Sequence, residues 1–223
     1  MKLAALFSGG KDSCLALHKA LKGGNEVLYL LTILPDNFDS FMFHKPYLSL
    51  LKRQASELGI PLIIQKTIGE KEEELDDLEE LIKKVVGKVE GIVVGGIASE
   101  YQGERVKNIC KKLGLKFIAP LLGYKPENLW KEILDNNFQV ILTKLSCDGL
   151  KKEWLGKTID KENLEKLGKL SENYKFRLDF EGGEAESAVL FMPEFKSKKP
   201  IKIGFDIKSE GEFRHFMGKV EVL

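Results

Sequence analysis

Short apolar runs alternate with longer amphipathic stretches through the first two-thirds of the chain. Residues 3–7 read as a strand. Residues 13–21 keep helical spacing and stop at Gly23 and Gly24, a helix C-terminal signal. Residues 26–34 read as the next strand. Pro46 suits a first helical position; Leu48, Leu51, Ala55 and Leu58 then mark one helix face, which Gly59 ends. Residues 61–65 read as a third strand. Across 70–89, Leu75, Leu78, Ile82, Val85, Val86 and Val89 keep a 3/4 spacing beneath a densely acidic run. That predicts an amphipathic helix with its acids near the N-terminus, where the macrodipole favours them, and a solvated face rather than a metal site. Residues 91–95 form a fourth strand. A helix over 101–113 carries Val106, Ile109, Cys110 and Leu113 on one face, and a fifth strand covers 116–119. Strands alternating with helices imply right-handed crossovers and an α/β, Rossmann-like, doubly wound parallel sheet.

The pattern changes after Pro120. Pro126 begins a helix carrying Leu129, Trp130, Ile133 and Leu134, and residues 138–145 read as a strand. A helix follows over 161–174. Residues 176–180, 188–192, 201–207 and 213–222 are strand-like, the last two joined as a hairpin through Ser209, Glu210 and Gly211. This predicts a smaller α+β domain over 123–223, after a sheet domain over 1–122.

Composition narrows the function classes. The 223 residues carry 35 Lys+Arg against 34 Asp+Glu, a net charge of +1. Sequence-independent nucleic-acid binding needs many uncompensated cations, so no direct nucleic-acid partner is expected. Only Arg53, Arg105, Arg177 and Arg214 are arginine; a Lys/Glu-rich surface fits a thermophilic source. Cys14, Cys110 and Cys147 form no Cys-x-x-Cys pair, which argues against a disulfide framework or a zinc ribbon. No apolar run reaches a membrane span, and residues 2–7 are too short for a signal segment. The expectation is a reduced, cytoplasmic protein without membrane contact.

The chemistry concentrates in Ser8-Gly9-Gly10-Lys11-Asp12-Ser13, between the first strand and the first helix. Open α/β sheets bind anions there, outside the carboxyl ends of their strands. The glycines let the backbone approach a phosphate chain, and the helix N-terminus points N–H groups at it. Lys11 adds a point charge, Ser8 and Ser13 add hydroxyls, and Asp12 is placed to cap the helix or to lie near Mg²⁺. The string is neither G-x-x-x-x-G-K-[ST] nor G-x-G-x-x-G.

The full loop resembles the pyrophosphate loop of the N-type ATP pyrophosphatases. That likeness implies strand order 3-2-1-4-5, ATP as co-substrate, and cleavage between the α and β phosphates. Four further segments narrow it. They are residues 40–44, ending in His44; residues 95–106, running on to 115; Gly149-Leu150 with Trp154-Leu155-Gly156; and Glu181-Gly182-Gly183-Glu184-Ala185-Glu186-Ser187. Together they resemble the diphthine–ammonia ligase family over essentially the whole chain. The additional C-terminal domains of eukaryotic relatives are not matched, which implies an archaeal type.

The resemblance implies amidation of diphthine on elongation factor 2. The carboxylate is adenylated by ATP, and ammonium supplies the nitrogen. It gives Lys11, Asp12 and Ser13 catalytic roles and places Ser8, Gly9, Gly10, His44, Gly95, Gly96 and Ile97 at the nucleotide. Glu100, Tyr101, Gln102 and Arg105 are expected at substrate, as are Gly182, Gly183, Glu184 and Glu186, whose carboxylates would complement the trimethylammonium of diphthine. Relatives carry Tyr-Glu-Thr where this chain has Ala185-Glu186-Ser187. A homo-oligomer is compatible with this reading. The competing readings are a tRNA-modifying pyrophosphatase of base-thiolation type and a non-catalytic nucleotide-binding protein.

Overall fold

The computed structural model describes residues 1–36, 47–68, 73–95, 100–210 and 215–223. The chain divides into two compact units, Met1–Leu122 and Gly123–Leu223. The first holds strands β1 (Lys2–Leu6), β2 (Glu26–Pro35), β3 (Leu62–Thr67), β4 (Gly91–Val93) and β5 (Lys116–Ile118). They pair in parallel in the order β3-β2-β1-β4-β5. Between them run α1 (Lys11–Lys22), α2 (Leu48–Leu58), α3 (Glu73–Lys83) and α4 (Glu100–Lys112).

One face of this sheet is closed by α3 and α4. Leu78, Leu81 and Ile82 of α3 and Val106, Ile109 and Cys110 of α4 pack with Ala4, Leu31, Ile33 and Ile92 of the strands. Burying each Leu, Ile and Val among them stabilises the unit by about 1.5–3 kcal/mol. Helix α1 contacts β1, β2 and β4. Cys14, Leu15, Ala16 and Leu17 are fully buried there, so Cys14 is a packing residue.

Helix α3 is shorter than its hydrophobic spacing predicts. After Lys83 the chain tightens, with Lys84, Val85 and Val86 each donating to the carbonyl three residues back. Two β-branched valines followed by Gly87 carry low helix propensity, and Val86 emerges 42% exposed. The acidic run is not wholly solvated either, because Glu74 is buried.

The second unit contains α5 (Pro126–Asp135), β6 (Gln139–Leu145), α6 (Lys161–Tyr174), β7 (Ala185–Phe191), β8 (Ile203–Glu210) and β9 (His215–Val222). Its antiparallel sheet has the order β7-β6-β9-β8. Strands β8 and β9 pair continuously from Ile203 opposite Val222 to Glu210 opposite His215. Gly211, the last residue of the expected Ser209–Glu210–Gly211 turn, lies outside the described residues. The core includes Trp130 and Ile133 of α5, Val140, Ile141 and Leu142 of β6, Leu167 of α6 and Val189 of β7.

Residues 176–180 are not the strand their alternation suggests. Phe180 N–H donates to the Arg177 carbonyl at 3.0 Å, closing a turn. The rings of Phe176 and Phe180 stack 6.1 Å apart, far closer than residues four apart in an extended strand. Trp130 meets Phe180 edge-on at 6.1 Å, and its indole N–H donates to the Leu178 carbonyl at 2.8 Å. Three aromatic side chains gathered on one cluster outweigh the local strand pattern.

Candidate functional site

At the carboxyl end of β1, Phe7 N–H donates to the Leu31 carbonyl at 2.8 Å and the Phe7 carbonyl accepts from Thr32 Oγ1 at 2.5 Å. The chain then leaves the sheet. Gly9 has φ of +75°, a conformation glycine adopts without steric cost. Gly10 is the N-cap of α1 and brings no side-chain cap. Ser13, which is 7% exposed, instead braces the loop across the turn. Ser13 Oγ donates to the Gly10 carbonyl at 3.1 Å, accepts from Ser8 N–H at 3.3 Å and lies 3.1 Å from Ser8 Oγ. Gly10 N–H reaches Ser8 Oγ at 3.4 Å. The first-turn N–H groups of any helix have no intrahelical partner, so this corner is a natural anion site.

Lys11 is only 3% exposed. Its Nζ donates to Asp12 Oδ2 at 2.7 Å. Asp12 Oδ1 is buried and has no hydrogen-bond partner in the protein. A carboxylate with one oxygen on a lysine and the other enclosed and unmatched fits a cation or a water-bound cation. Among the described residues no group of three His, Cys, Asp or Glu side chains gathers to hold a metal. Mg²⁺ bound through one carboxylate and substrate phosphates needs no such cage.

Gly95 follows β4 and is buried. A Cβ there would lie 2.6 Å from both Cα and N of Ser13 and 2.7 Å from C of Asp12. The end of β4 therefore presses directly on the backbone of the loop and of the first turn of α1. His44, Gly96 and Ile97 lie outside the described residues. Glu100, Tyr101 and Gln102 open α4, and their side chains also lie outside what is described; Arg105 is half-buried one turn further on.

Two residues at this loop carry no signal in the motif itself. Gln54 of α2, 1% exposed, donates from Nε2 to the Gly9 carbonyl at 3.0 Å. Thr32 of β2, 3% exposed, holds the Phe7 carbonyl. Their trace in the sequence is a polar residue inside an apolar stripe, Gln54 between Leu51 and Leu58 and Thr32 between Leu31 and Ile33.

In the second unit, the residues before β7 form a tight turn. Glu184 accepts from Arg177 N–H at 3.0 Å and from Gly182 N–H at 2.9 Å. Its own carbonyl accepts from Ser146 N–H at 2.8 Å. Arg177 grips Asp179 with two bonds, Nε to Oδ1 at 2.9 Å and Nη2 to Oδ2 at 2.6 Å. That pairing raises the Arg177 pKa above its ordinary value. Glu186 sits on β7 opposite Lys144 of β6, with Oε1 3.1 Å from Nζ. Burial, followed by the Glu184 carboxylate, pushes the Cys147 thiol up to about 11.

A family model described as the diphthamide synthase N-terminal domain matches residues 1–117. A second, the diphthamide synthase C-terminal domain, matches residues 125–221. The chain belongs to the diphthamide synthase family. It is an enzyme of the ligase type. Relatives named diphthine–ammonia ligase include that of Homo sapiens, 35% identical over 219 residues, covering 89% of this chain and 82% of the relative. The Bos taurus relative is 36% identical over 220 residues with the same coverage, 89% and 82%. The Schizosaccharomyces pombe relative is 34% identical over 216 residues, 89% of this chain but 36% of that longer protein. A solved structure of a predicted subunit of tRNA methyltransferase from Methanocaldococcus jannaschii is similar at a TM-score of 0.45 and 15% identity, covering 86% of this chain and 98% of that one. In this diphthamide synthase family member, no helix among the described residues is long and apolar enough to cross a membrane.

Proposed function

We propose that this chain amidates the diphthine carboxylate of elongation factor 2, using ATP and ammonium and releasing AMP and pyrophosphate. Diphthamide biosynthesis and ATP use follow from the family. The acyl-adenylate route, the identity of the protein substrate and the residue roles are the proposal. The observation that supports it most is the loop Ser8–Ser13. It combines a buried lysine, two hydroxyls and a helix N-terminus at the carboxyl edge of a parallel sheet.

A carboxylate is a poor electrophile because oxide is a poor leaving group. In the first step a carboxylate oxygen forms a bond to the α-phosphorus and the bond to the β-phosphate oxygen breaks, releasing pyrophosphate. In the second, the ammonia nitrogen bonds to the acyl carbon and AMP departs with the former carboxylate oxygen. Ammonium gives one proton to solvent before its nitrogen attacks, and the nitrogen gives a second after AMP departs. The chain's part is to hold the triphosphate in line and to stabilise charge on the departing pyrophosphate.

Ser8, Gly9, Gly10 and Ser13 bind the phosphates through N–H groups and hydroxyls. Lys11 shifts from Asp12 toward phosphate oxygen when nucleotide arrives. Asp12, with its unmatched Oδ1, would hold Mg²⁺, which when bound supplies further neutralisation of the phosphates. His44, Gly95, Gly96 and Ile97 border the nucleotide. Glu100, Tyr101, Gln102 and Arg105 contact the protein substrate. Glu184 shapes the Gly182–Gly183 turn through its two backbone bonds. Glu186 remains the carboxylate assigned to the trimethylammonium of diphthine, with Lys144 as its partner when substrate is absent. A homo-oligomer and a cytoplasmic setting are compatible with this chemistry.

The test is incubation of purified protein with diphthine-bearing elongation factor 2, ATP, Mg²⁺ and ammonium. AMP, pyrophosphate and an amide mass change on the factor are expected. ADP and phosphate, or an unchanged factor, would overturn the reading. In the same assay Lys11→Ala should lower turnover by ~10²-fold or more, and near-normal turnover would remove Lys11 from the chemistry.

A further inference from the structure

An anion-binding loop must do two things. It must aim N–H groups at the ligand and keep carbonyl oxygens turned away from it. In a trans peptide the two groups point in opposite directions, so fixing the carbonyl fixes the N–H of the next residue. Three carbonyls of this loop are held by side chains. Phe7 accepts from Thr32 Oγ1 at 2.5 Å, Gly9 from Gln54 Nε2 at 3.0 Å and Gly10 from Ser13 Oγ at 3.1 Å. Each bond matters to a different degree, because the peptides differ in their freedom to turn. Phe7 is also tied into the sheet through its N–H on Leu31. Gly10 is also tied into the helix, since its carbonyl accepts from Cys14 N–H at 3.1 Å.

The Gly9–Gly10 peptide has neither support. It is flanked by glycine on both sides, where the backbone populates positive and negative φ with little preference. Gly9 sits at φ of +75°, and the Gly10 N–H points to Ser8 Oγ. Gln54 is the group that selects this orientation. It comes from α2, 45 residues away in sequence, and is 1% exposed, so no solvent competes for the bond. The fit is close, because a Cβ on Gly9 would meet Gln54 Oε1 at 2.2 Å.

We infer that Gln54 is a positioning residue for nucleotide: it locks the Gly9–Gly10 peptide so that the Gly10 N–H is presented with the Ser8 hydroxyl to the phosphate chain. This rests on the proposed nucleotide role of the loop. Losing one buried hydrogen bond allows a flipped peptide to compete, and apparent affinity falls with the fraction of chains in the binding orientation.

The experiment is calorimetric titration of ATP with Mg²⁺ into the wild-type chain, Gln54→Met and Gln54→Glu, alongside thermal melts. Both variants keep the length of the side chain and lose the donor. Expected is roughly ten-fold weaker ATP binding in each, with KM for ATP raised and KM for ammonium unchanged in the folded protein. Folded variants that bind ATP as the wild type does would overturn the inference and leave the nucleotide role standing. A wild-type chain that binds no ATP would overturn the nucleotide role itself. Should both variants fail to fold, the Gln54 side-chain amide protons of the wild type decide. Slow hydrogen exchange, slowed further by ATP, supports the lock; fast exchange indifferent to ATP overturns it.

Discussion

Buried polar side chains define the chemistry at the scale of single residues. Lys11, Ser13, Gln54 and Thr32 are each under one-tenth exposed, yet every one has a polar partner at the same loop. An enclosed lysine costs several kcal/mol unless paired, and Asp12 supplies the pair. Cys147 is the opposite case, a thiol whose surroundings work against its charged form. Burial and the nearby Glu184 carboxylate raise its pKa from 9.0 to about 11. The neutral thiol is favoured in the folded state. Its contribution to stability is therefore complete below pH 9 and is lost as pH rises from there through about 11. Alkylation with iodoacetamide, followed by mass spectrometry of the Cys147 peptide, should run about 100-fold slower at pH 8 in the native protein than in the denatured chain. The native rate should climb steeply toward pH 11. A fast rate that ignores pH would show that the thiolate is not disfavoured there.

At the scale of elements, the close approach of β4 to α1 is the feature that holds the loop against the sheet. Gly95 leaves no room for a methyl group, because the atoms it would strike at 2.6 Å and 2.7 Å are backbone, not the end of a flexible side chain. Gly95→Ala should cost about 1–3 kcal/mol, seen as a lowered melting temperature, and should weaken ATP binding as the first turn of α1 is displaced. Gly168→Ala is the matched control. That glycine lies mid-helix in α6, and a methyl group added to it would meet nothing within 4 Å, so the change should be neutral or stabilising by about 0.5–1 kcal/mol. Equal behaviour of the two variants would refute the packing role of Gly95. The elements that were legible in the sequence are those whose information is local. Helix α6 has a capping Asp160, whose Oδ1 accepts from Asn163 N–H at 2.8 Å, and a continuous apolar stripe. Its bounds follow from those signals. Residues 176–180 carried a strand pattern, but their aromatic rings answer to Trp130, some 46–50 positions earlier, and the chain turns. The turn at Ser8–Ser13 was legible because its residues are neighbours in sequence and bond to one another. Gln54 was not, because its partner Gly9 is 45 residues away and a glutamine in a helix has many ordinary uses.

At the scale of the whole molecule, the two halves of the chain solve different problems. Met1–Leu122 builds a parallel sheet whose strand β4 is buried throughout and whose Ser8–Ser13 loop is the proposed phosphate site; Gly123–Leu223 builds an antiparallel sheet with Trp130 in its core. The family models divide at the same region, ending at 117 and resuming at 125. The core cluster beneath α3 and α4 is made of residues of the first half, from Ala4 through Leu115. Every loop contact described for Ser8–Ser13 is made within it, including those from Thr32, Gln54 and the backbone against Gly95. A unit of this size with its own core buries enough surface to fold alone. The fragment 1–122 should therefore melt cooperatively and bind ATP with Mg²⁺ within about ten-fold of the intact chain, while amidating nothing. Calorimetry on the fragment checks both halves of that statement. A fragment that lacks a cooperative transition would mean that the sheet depends on the second half for stability. A folded fragment that fails to bind ATP would mean instead that the nucleotide site draws on residues beyond Leu122, and the phosphate loop would be only part of it.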